Sequence, residues 1–329
     1  MSRIKVVCDF GSAYFSLYSE NELLLRMPSA VIIKRSLNPV ALYCGEEALK
    51  RQSQVTEEEL FVKPIQNGSV AHFEGIRLLI KEAMKKVFGI RTDMEICVLI
   101  SCGLEITQKR EIEKAFVTGG YTNIYLMESV VALAPIAEEY GTEVVCVIGG
   151  DLVEFAILNG RKILSGYSLD MGGNAINRKI IEHIEDLYKL NIKWRESEAA
   201  KLGIGSLFAR DTSSFSLTGR DILTGKPKKL VISAKEIYEQ IIYVFTRIIK
   251  LIDGALSVAP ASCVQNIETK GVLFAGGGAA VLGLEEYIYK KLNIPVFLEE
   301  KPYLTHLRGA YQLMQDEAFI NSYLGISDK

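Results

Sequence analysis

Residues 4–18 read IKVVCDFGSAYFSLY, and residues 144–158 read VVCVIGGDLVEFAIL. Each stretch runs from an apolar segment through a glycine turn into a second apolar segment, a pattern that predicts two strands joined by a tight turn. A third predicted strand follows each pair, at 22–26 and at 162–167. Because the same unit opens both halves of the chain, we predict two related α/β domains that face one another across a cleft.

A third glycine turn lies near the end of the chain, where the apolar residues 272–275 run into Gly276, Gly277 and Gly278. Strand-to-glycine junctions gather backbone N–H groups that can hold a phosphate. Together with the turns at 9–12 and 149–150, this one predicts a nucleotide cleft. Helical spacing of apolar side chains predicts helices at 73–84, 108–119, 130–137, 175–187 and 233–256.

The bulk composition is that of a globular protein. The 329 residues suit two packed domains, 49% of them are hydrophobic, and the formal net charge is -2. Nucleic-acid binders usually carry a basic excess, so no nucleic-acid partner is expected. No apolar run reaches about 18 residues, the length that suggests a membrane-spanning helix. We therefore expect a cytoplasmic protein.

Cysteines and histidines give no sign of a metal cage or a disulfide framework. The six cysteines form no CxxC pair, several lie in apolar strand-like runs, and the three histidines lack metal-ligand spacing. We expect buried, reduced thiols. The cysteines are Cys8, Cys44, Cys97, Cys102, Cys146 and Cys263.

Four longer stretches resemble the MreB family of bacterial actin homologues. Residues 9–18, DFGSAYFSLY, are similar to that family's DLGTANTLVY, and residues 63–74, KPIQNGSVAHFE, are similar to its RPLKDGVIADFE. Residues 219–233, GRDILTGKPKKLVIS, resemble GRDLVTGLPRTITIS, and residues 274–288, FAGGGAAVLGLEEYI, resemble LTGGGALLRGLDKLL. The match is collinear from about Val6 to about Met314.

The resemblance implies an actin-like α/β fold, as in actin, Hsp70 and the sugar kinases, with ATP or ADP and Mg²⁺ in the cleft. It also implies self-association into filaments beneath the membrane. Domain I would comprise 1–140 and 312–329, with subdomain IB inserted at about 32–74. Domain II would comprise 141–311, with subdomain IIB inserted at about 180–236.

Carried over position by position, the resemblance gives a set of nucleotide-binding candidates, of which Asp9 is also the metal candidate. Alternatives stay open for six of them: Asp9 as a strand-end cap, the three late glycines as a tight-packing device, and Glu198 with Lys201 as a surface ion pair. The candidates are Asp9, Gly11, Ser12, Gly149, Gly150, Gly172, Gly173, Glu198, Lys201, Gly276, Gly277 and Gly278.

The second phosphate turn departs from the family pattern. The family's DIGGGTTE reads VIGGDLVE at residues 147–154. Val147 replaces the aspartate, and Leu152 and Val153 replace the two threonines that would bond phosphate or water. Asp151 stands in place of the third glycine, either as a carboxylate that repels a triphosphate or as an ordinary turn residue.

Two further departures concern the phosphates and the attacking water. Tyr14 and Phe15 replace the family's Asn and Thr in the first turn. The family's IEEP reads MESV at residues 127–130, so the glutamate that orients water corresponds to Ser129, and Glu128 beside it is the remaining catalytic candidate. Hydrolysis needs an oriented water, a metal and charge stabilisation, so we expect weak or absent ATPase activity.

Three functional hypotheses follow. The first is a bacterial actin-like cytoskeletal protein, filament-forming or filament-associated, with a role in cell shape or intracellular organisation. The second is a non-hydrolysing pseudo-actin adaptor that co-assembles with, or regulates, another MreB-like filament. The third, a small-molecule kinase of the same fold, needs the intact second phosphate turn that this sequence lacks.

A peripheral membrane contact is a separate hypothesis. Phe88 and Ile90 follow a helix that carries Lys81, Lys85 and Lys86, near where some MreB proteins insert an apolar loop into the membrane. Apolar side chains flanked by lysines fit weak attachment to the inner face of the cell membrane. Core packing of both apolar side chains is the alternative, and it is the one that we expect.

Overall fold

A computed structural model describes residues 3–91, 93–258 and 269–327. Its strands are β1 Ile4–Phe10, β2 Tyr14–Ser19, β3 Glu22–Pro28, β4 Val31–Lys34, β5 Val40–Cys44, β6 Glu59–Val62, β7 Ile65–Gln66, β8 Ser69–Val70, β9 Met94–Ile100, β10 Ile124–Glu128, β11 Val144–Ile148, β12 Val153–Asn159, β13 Lys162–Leu169, β14 Leu190–Asn191, β15 Ser214–Asp221, β16 Pro227–Ser233, β17 Val272–Ala275 and β18 Val296–Leu298. Its helices are α1 Glu46–Arg51, α2 Phe73–Phe88, α3 Ile106–Thr118, α4 Ser129–Ala132, α5 Ala134–Tyr140, α6 Gly173–Tyr188, α7 Trp194–Ile204, α8 Ala234–Val258, α9 Leu284–Leu292, α10 Pro302–Leu313 and α11 Glu317–Ser327, with 3₁₀ turns at Gln52–Gln54 and Gly277–Ala280.

Two five-stranded sheets repeat one topology. The first has the order β10-β9-β1-β2-β3, and the second has the order β13-β12-β11-β17-β18. In each sheet a three-stranded antiparallel meander comes first, and its leading strand, β1 or β11, also pairs in parallel with a later strand, β9 or β17. This repeat confirms the prediction of an α/β fold built on two sheet-containing domains.

Amphipathic helices complete the two main cores. Helix α2 buries Ile76, Leu79, Ile80 and Met84 against the first sheet. Helix α8 buries its own isoleucine stripe against the second sheet. Each fully buried side chain of this size contributes roughly 1.5–3 kcal/mol of transfer free energy. These contacts hold the two sheets in place on either side of the cleft.

Smaller sheets lie outside the two main ones. Strands β4, β5 and β6 form one, and strands β14, β15 and β16 form another. Their lobes touch, because the Lys63 ammonium lies 3.9 Å from the centre of the Trp194 ring and Lys193 Nζ donates to Ser53 Oγ at 2.9 Å. We propose that these sheets belong to the inserted subdomains IB and IIB, with the domain limits given above.

One predicted helix is two helices in the structure. The segment 130–137 divides at Leu133 into α4 and α5, so the prediction of one continuous helix there is wrong. Pro135 is the cause, since proline has no N–H to donate and its ring clashes with the preceding turn of a helix.

Cys8, Cys97 and Cys146 are buried free thiols, whereas Cys263 lies outside the described residues.

The two apolar side chains of the proposed membrane contact have different environments. Phe88 packs against the first core, as expected, but Ile90 is 98% exposed, so the prediction that both side chains are buried is wrong for Ile90. Within the described ranges, every helix is too short or too polar to cross a bilayer.

Candidate functional site

A cavity of about 270 Å³ lies between the two sheets, where the three glycine turns meet. This volume is close to the lower end of small-molecule pockets, about 300–1,000 Å³. The structure brings most of the predicted site residues into its lining. Those that line it are Asp9, Gly11, Ser12, Gly149, Gly150, Gly173, Glu198, Lys201, Gly276, Gly277 and Gly278.

The first and second glycine turns touch one another. The Asp151 amide donates to Ser12 Oγ at 3.1 Å. A Cβ added to Gly150 would lie 2.7 Å from the Ala13 Cβ, so only glycine permits this approach. Gly172, the one predicted binding residue outside the lining, has the same kind of role, since its Cβ would lie 2.5 Å from the carbonyl oxygens of Gly149 and Gly150.

Hydrogen bonds to the Asp151 side chain connect the two halves of the chain. Its carboxylate accepts hydrogen bonds from the Asn67 amide at 3.1 Å and from Asn174 Nδ2 at 2.8 Å. Asn67 Nδ2 also donates to Asp170 Oδ2 at 3.0 Å. The Asp151 side chain is buried beside the cavity but is not part of its lining. Of the two alternatives, the structure favours a turn residue, and the partners of this residue come from distant parts of the chain that no local sequence pattern indicates.

Two ionisable residues that the sequence analysis passed over share the cavity with Asp9. His306 is 5% exposed, and its Nε2 lies 3.4 Å from Asp9 Oδ2. Glu154, also 5% exposed, accepts a hydrogen bond from the Cys102 amide. Burial, together with the nearby carboxylates of Asp9 and Glu128, raises the pKa of Glu154 to about 7, and the hydrogen bond from the Cys102 amide only partly opposes that rise. Glu154 matches the last letter of the family's DIGGGTTE, a signal that could have identified it.

Mg²⁺ finds few protein ligands here. Among the described residues, no group of three or more His, Cys, Asp or Glu side chains is placed to hold a metal. Mg²⁺ in nucleotide sites is usually bound by one or two carboxylates together with phosphate oxygens and water. The carboxylates of Asp9 and Glu154 fit that arrangement, so a Mg²⁺ site at this point depends on bound phosphate.

Glu198 and Lys201 form an ion pair inside the cavity. Lys201 Nζ lies 2.8 Å from Glu198 Oε2 and also donates to the Gly173 carbonyl at 3.2 Å. Burial alone would raise the pKa of Glu198, but Lys201 and a hydrogen bond from Asn177 outweigh it and hold that pKa below its ordinary value. The pair is therefore charged and partly buried, and it lines the cavity rather than the outer surface.

The part of the cavity beside this pair is apolar. Leu202, Ile241 and Val281 line it, with Gly205 and Ala280 between them. Flat apolar walls next to a few polar groups are what a nucleoside base requires. Gly276 has a φ of +87°, and a Cβ on it would lie 2.5 Å from the Ile148 carbonyl oxygen. The third turn therefore needs glycine to pack against β11 at this wall.

Glu128, the catalytic candidate, is directed elsewhere. Its carboxylate lies 3.0 Å from Lys109 Nζ and accepts a hydrogen bond from the Tyr323 hydroxyl, which anchors α11 on the first sheet. It is not part of the cavity lining, whereas Ser129 is, with its hydroxyl donating to the Ile100 carbonyl at 3.1 Å. Glu154 is the glutamate that the structure places beside Asp9.

Comparison with known proteins finds relatives that match nearly the whole chain. The MreB/Mbl protein family matches residues 3–321. Cell shape-determining protein Mbl of Bacillus cereus is 30% identical over 308 residues, which cover 89% of this chain and 90% of that protein. Cell shape-determining protein MreB of Escherichia coli is 24% identical over 320 residues, covering 93% and 92%.

Two solved structures share the fold across nearly the full length. MreB5 of Spiroplasma citri bound to AMPPNP matches with a TM-score of 0.88 at 20% identity, covering 99% of each chain. The MamK double helical filament matches with a TM-score of 0.80 at 18% identity, covering 95% of this chain and 99% of that one. Both likenesses are to whole chains rather than to a shared fragment.

Proposed function

This chain belongs to the MreB/Mbl family of actin-like proteins, and we propose that it is a filament-forming cytoskeletal protein that binds ATP or ADP and hydrolyses ATP slowly or not at all. The observation that carries the proposal is a cavity in which the three glycine turns and the Glu198–Lys201 pair are kept, while the phosphate-binding hydroxyls of the second turn are missing. Its proposed role is in cell shape, the process in the names of its Mbl and MreB relatives, or in intracellular organisation.

Nucleotide would lie with its base against the apolar wall and its phosphates towards Asp9. The pair of Glu198 and Lys201 stands between these regions and would contact the ribose. Mg²⁺ bound with the phosphates would be held by Asp9, and it would neutralise charge that the protein itself leaves unbalanced. Nucleotide binding across both sheets would favour the closed arrangement of the domains that assembles, provided that its affinity differs between the open and closed states.

Slow hydrolysis follows from the side chains beside the phosphate region. Val147 and Leu152 line the cavity where hydroxyl or carboxylate groups would orient water. Among the described residues, Glu154 is the glutamate placed beside Asp9 to act as a base, and a pKa of about 7 suits that role at neutral pH. Any residual ATPase activity should therefore depend on Glu154.

Calorimetric titration with ATP, ADP and adenosine, with and without Mg²⁺, tests the proposal alongside a phosphate-release assay. Binding with slow release supports it. Fast turnover would contradict the slow-hydrolysis proposal, and transfer of phosphate to a small acceptor would revive the kinase hypothesis. Complete lack of ATP binding at millimolar concentration would favour the pseudo-actin adaptor, a partner in another protein's filament.

We propose a cytoplasmic location, with attachment at the inner face of the membrane. The feature that supports attachment is Ile90, which is exposed beside the lysine-bearing helix α2. A vesicle-flotation assay comparing wild type with Ile90→Ser tests this: loss of flotation in the variant supports membrane contact, and equal flotation rejects Ile90 as the anchor.

Co-assembly with a second MreB-like chain is proposed as an alternative to homopolymerisation.

A further inference from the structure

Arg26 on β3 lies between two aromatic rings at the edge of the cavity. Its guanidinium carbon is 3.7 Å from the centre of the Tyr14 ring and 4.8 Å from the centre of the Tyr303 ring. All three residues line the cavity. They come from three separate elements, β3, β2 and α10, so the arrangement is a tertiary feature rather than a local one.

The guanidinium spans the space between two glycine turns. Tyr14 follows the first turn directly, and a Cβ added to Gly277 in the third turn would lie 3.8 Å from an Arg26 terminal nitrogen. Gly277 itself has no side chain, so the route from the guanidinium into the cavity is open on that side. A ligand that contacts both the first and the third glycine turn would therefore lie next to the Arg26 guanidinium.

Arg26 also lines the cavity without an ion-pair partner among the described residues. Lys201, by comparison, forms an ion pair with Glu198 and donates a hydrogen bond to the Gly173 carbonyl. For Arg26, by contrast, no carboxylate of the described chain lies within the 4.0 Å of an ion pair. Arg26 also donates a hydrogen bond to the Tyr14 hydroxyl. A guanidinium has five N–H donors, so stacking and this one hydrogen bond leave other N–H groups to bind a ligand. An arginine held in this way is pre-organised for an oxyanion.

We propose that Arg26 is a phosphate ligand of this cavity, with its guanidinium held by Tyr14 and Tyr303 so that its N–H edge binds phosphate oxygens of a nucleotide. The proposal rests on the nucleotide binding proposed above. Guanidinium and phosphate form short, bidentate, charge-assisted hydrogen bonds. Arg26 thus supplies the phosphate binding that Leu152 and Val153 cannot.

Three variants separate this role from a structural one. Arg26→Gln removes the charge, and Arg26→Lys keeps the charge but loses the planar fork. The matched control is Arg247→Gln, because Arg247 also stacks on a tyrosine, Tyr243, at 3.6 Å but lies on α8 away from the cavity lining. Each variant is titrated with ATP, ADP and adenosine, and its thermal unfolding is compared with that of wild type.

Arg26→Gln is expected to weaken ATP and ADP binding about 10- to 100-fold, the loss typical of a removed charge-assisted hydrogen bond. Arg26→Lys should lose less, adenosine binding should not change, and Arg247→Gln should behave as wild type. If Arg26→Gln unfolds early, the Arg26→Lys variant decides, through its ratio of ATP to adenosine affinity.

Unchanged or tighter ATP binding by Arg26→Gln would overturn the role of Arg26 while leaving nucleotide binding intact. An equal loss of ATP and adenosine affinity would also overturn it, since it would show that Arg26 shapes the cavity rather than binding phosphate. If wild type itself binds no ATP, the proposed nucleotide binding fails, and the role of Arg26 fails with it.

Discussion

Glutamine in place of Glu154 should remove a pH-dependent loss of stability. The pKa of Glu154 is raised from 4.5 to about 7, chiefly because burial disfavours the carboxylate. At 1.36 kcal/mol for each pKa unit, this difference corresponds to roughly 3 kcal/mol. Glutamine has nearly the same shape and keeps an oxygen that can accept from the Cys102 amide, but it cannot ionise.

The sign follows from proton linkage. The folded protein keeps the Glu154 proton at pH values where the unfolded chain, with its ordinary pKa of 4.5, has lost it. The contribution of Glu154 to stability is therefore fully present below about pH 4.5 and is lost as the pH rises through about 7. Glu154→Gln should gain on wild type by up to about 3 kcal/mol between pH 5 and pH 8.

Urea unfolding at pH 5, 6, 7 and 8, followed by circular dichroism, measures this difference. Other groups titrate in both proteins, so the difference between variant and wild type isolates Glu154. Glu113→Gln, at an exposed position on α3, is the matched control for the same chemical change at the surface. A difference that stays flat for Glu154→Gln, or a wild type that gains on the variant with rising pH, would refute the argument.

Two further changes test the contacts that join distant parts of the chain. Asp151→Ala leaves the Asn67 amide and the Asn174 side chain without their acceptor, so it should lower the free energy of unfolding by about 1–3 kcal/mol. An unchanged urea midpoint would show that the hydrogen bonds to Asp151 do not contribute to stability. Tyr323→Phe removes a hydrogen bond to Glu128, and it should cost about 1 kcal/mol without changing phosphate release. A large loss of phosphate release in that variant would return Glu128 to the catalytic site.

The strands and the glycine turns could be predicted because their signals are local. Apolar runs interrupted by glycine at 4–18 and 144–158 carry the repeat of the two sheets in their own composition. The division of one predicted helix at Leu133 also has a local signal, because Pro135 is visible in the sequence and disfavours a continuous helix there.

The chemistry of the site depends on contacts that no local pattern contains. His306 meets Asp9 only because α10 packs against β1, since the two residues are 297 positions apart in the sequence. The partners of Asp151 likewise lie 84 and 23 positions away. Glu128 and Glu154 both lie at strand ends in the sequence. The family pattern marks Glu154, and the folded chain shows that Glu154 lines the cavity whereas Glu128 does not. Pairings set by tertiary packing were therefore beyond the sequence analysis.

Sedimentation with negative-stain microscopy, on purified protein with and without ATP and Mg²⁺, shows whether this protein forms filaments that depend on nucleotide. We expect filaments that pellet when nucleotide is present, and fewer filaments for Arg26→Gln than for wild type. Equal filaments in both conditions would show polymerisation that is independent of nucleotide. The absence of filaments in either condition would contradict an autonomous filament and leave the adaptor in its place.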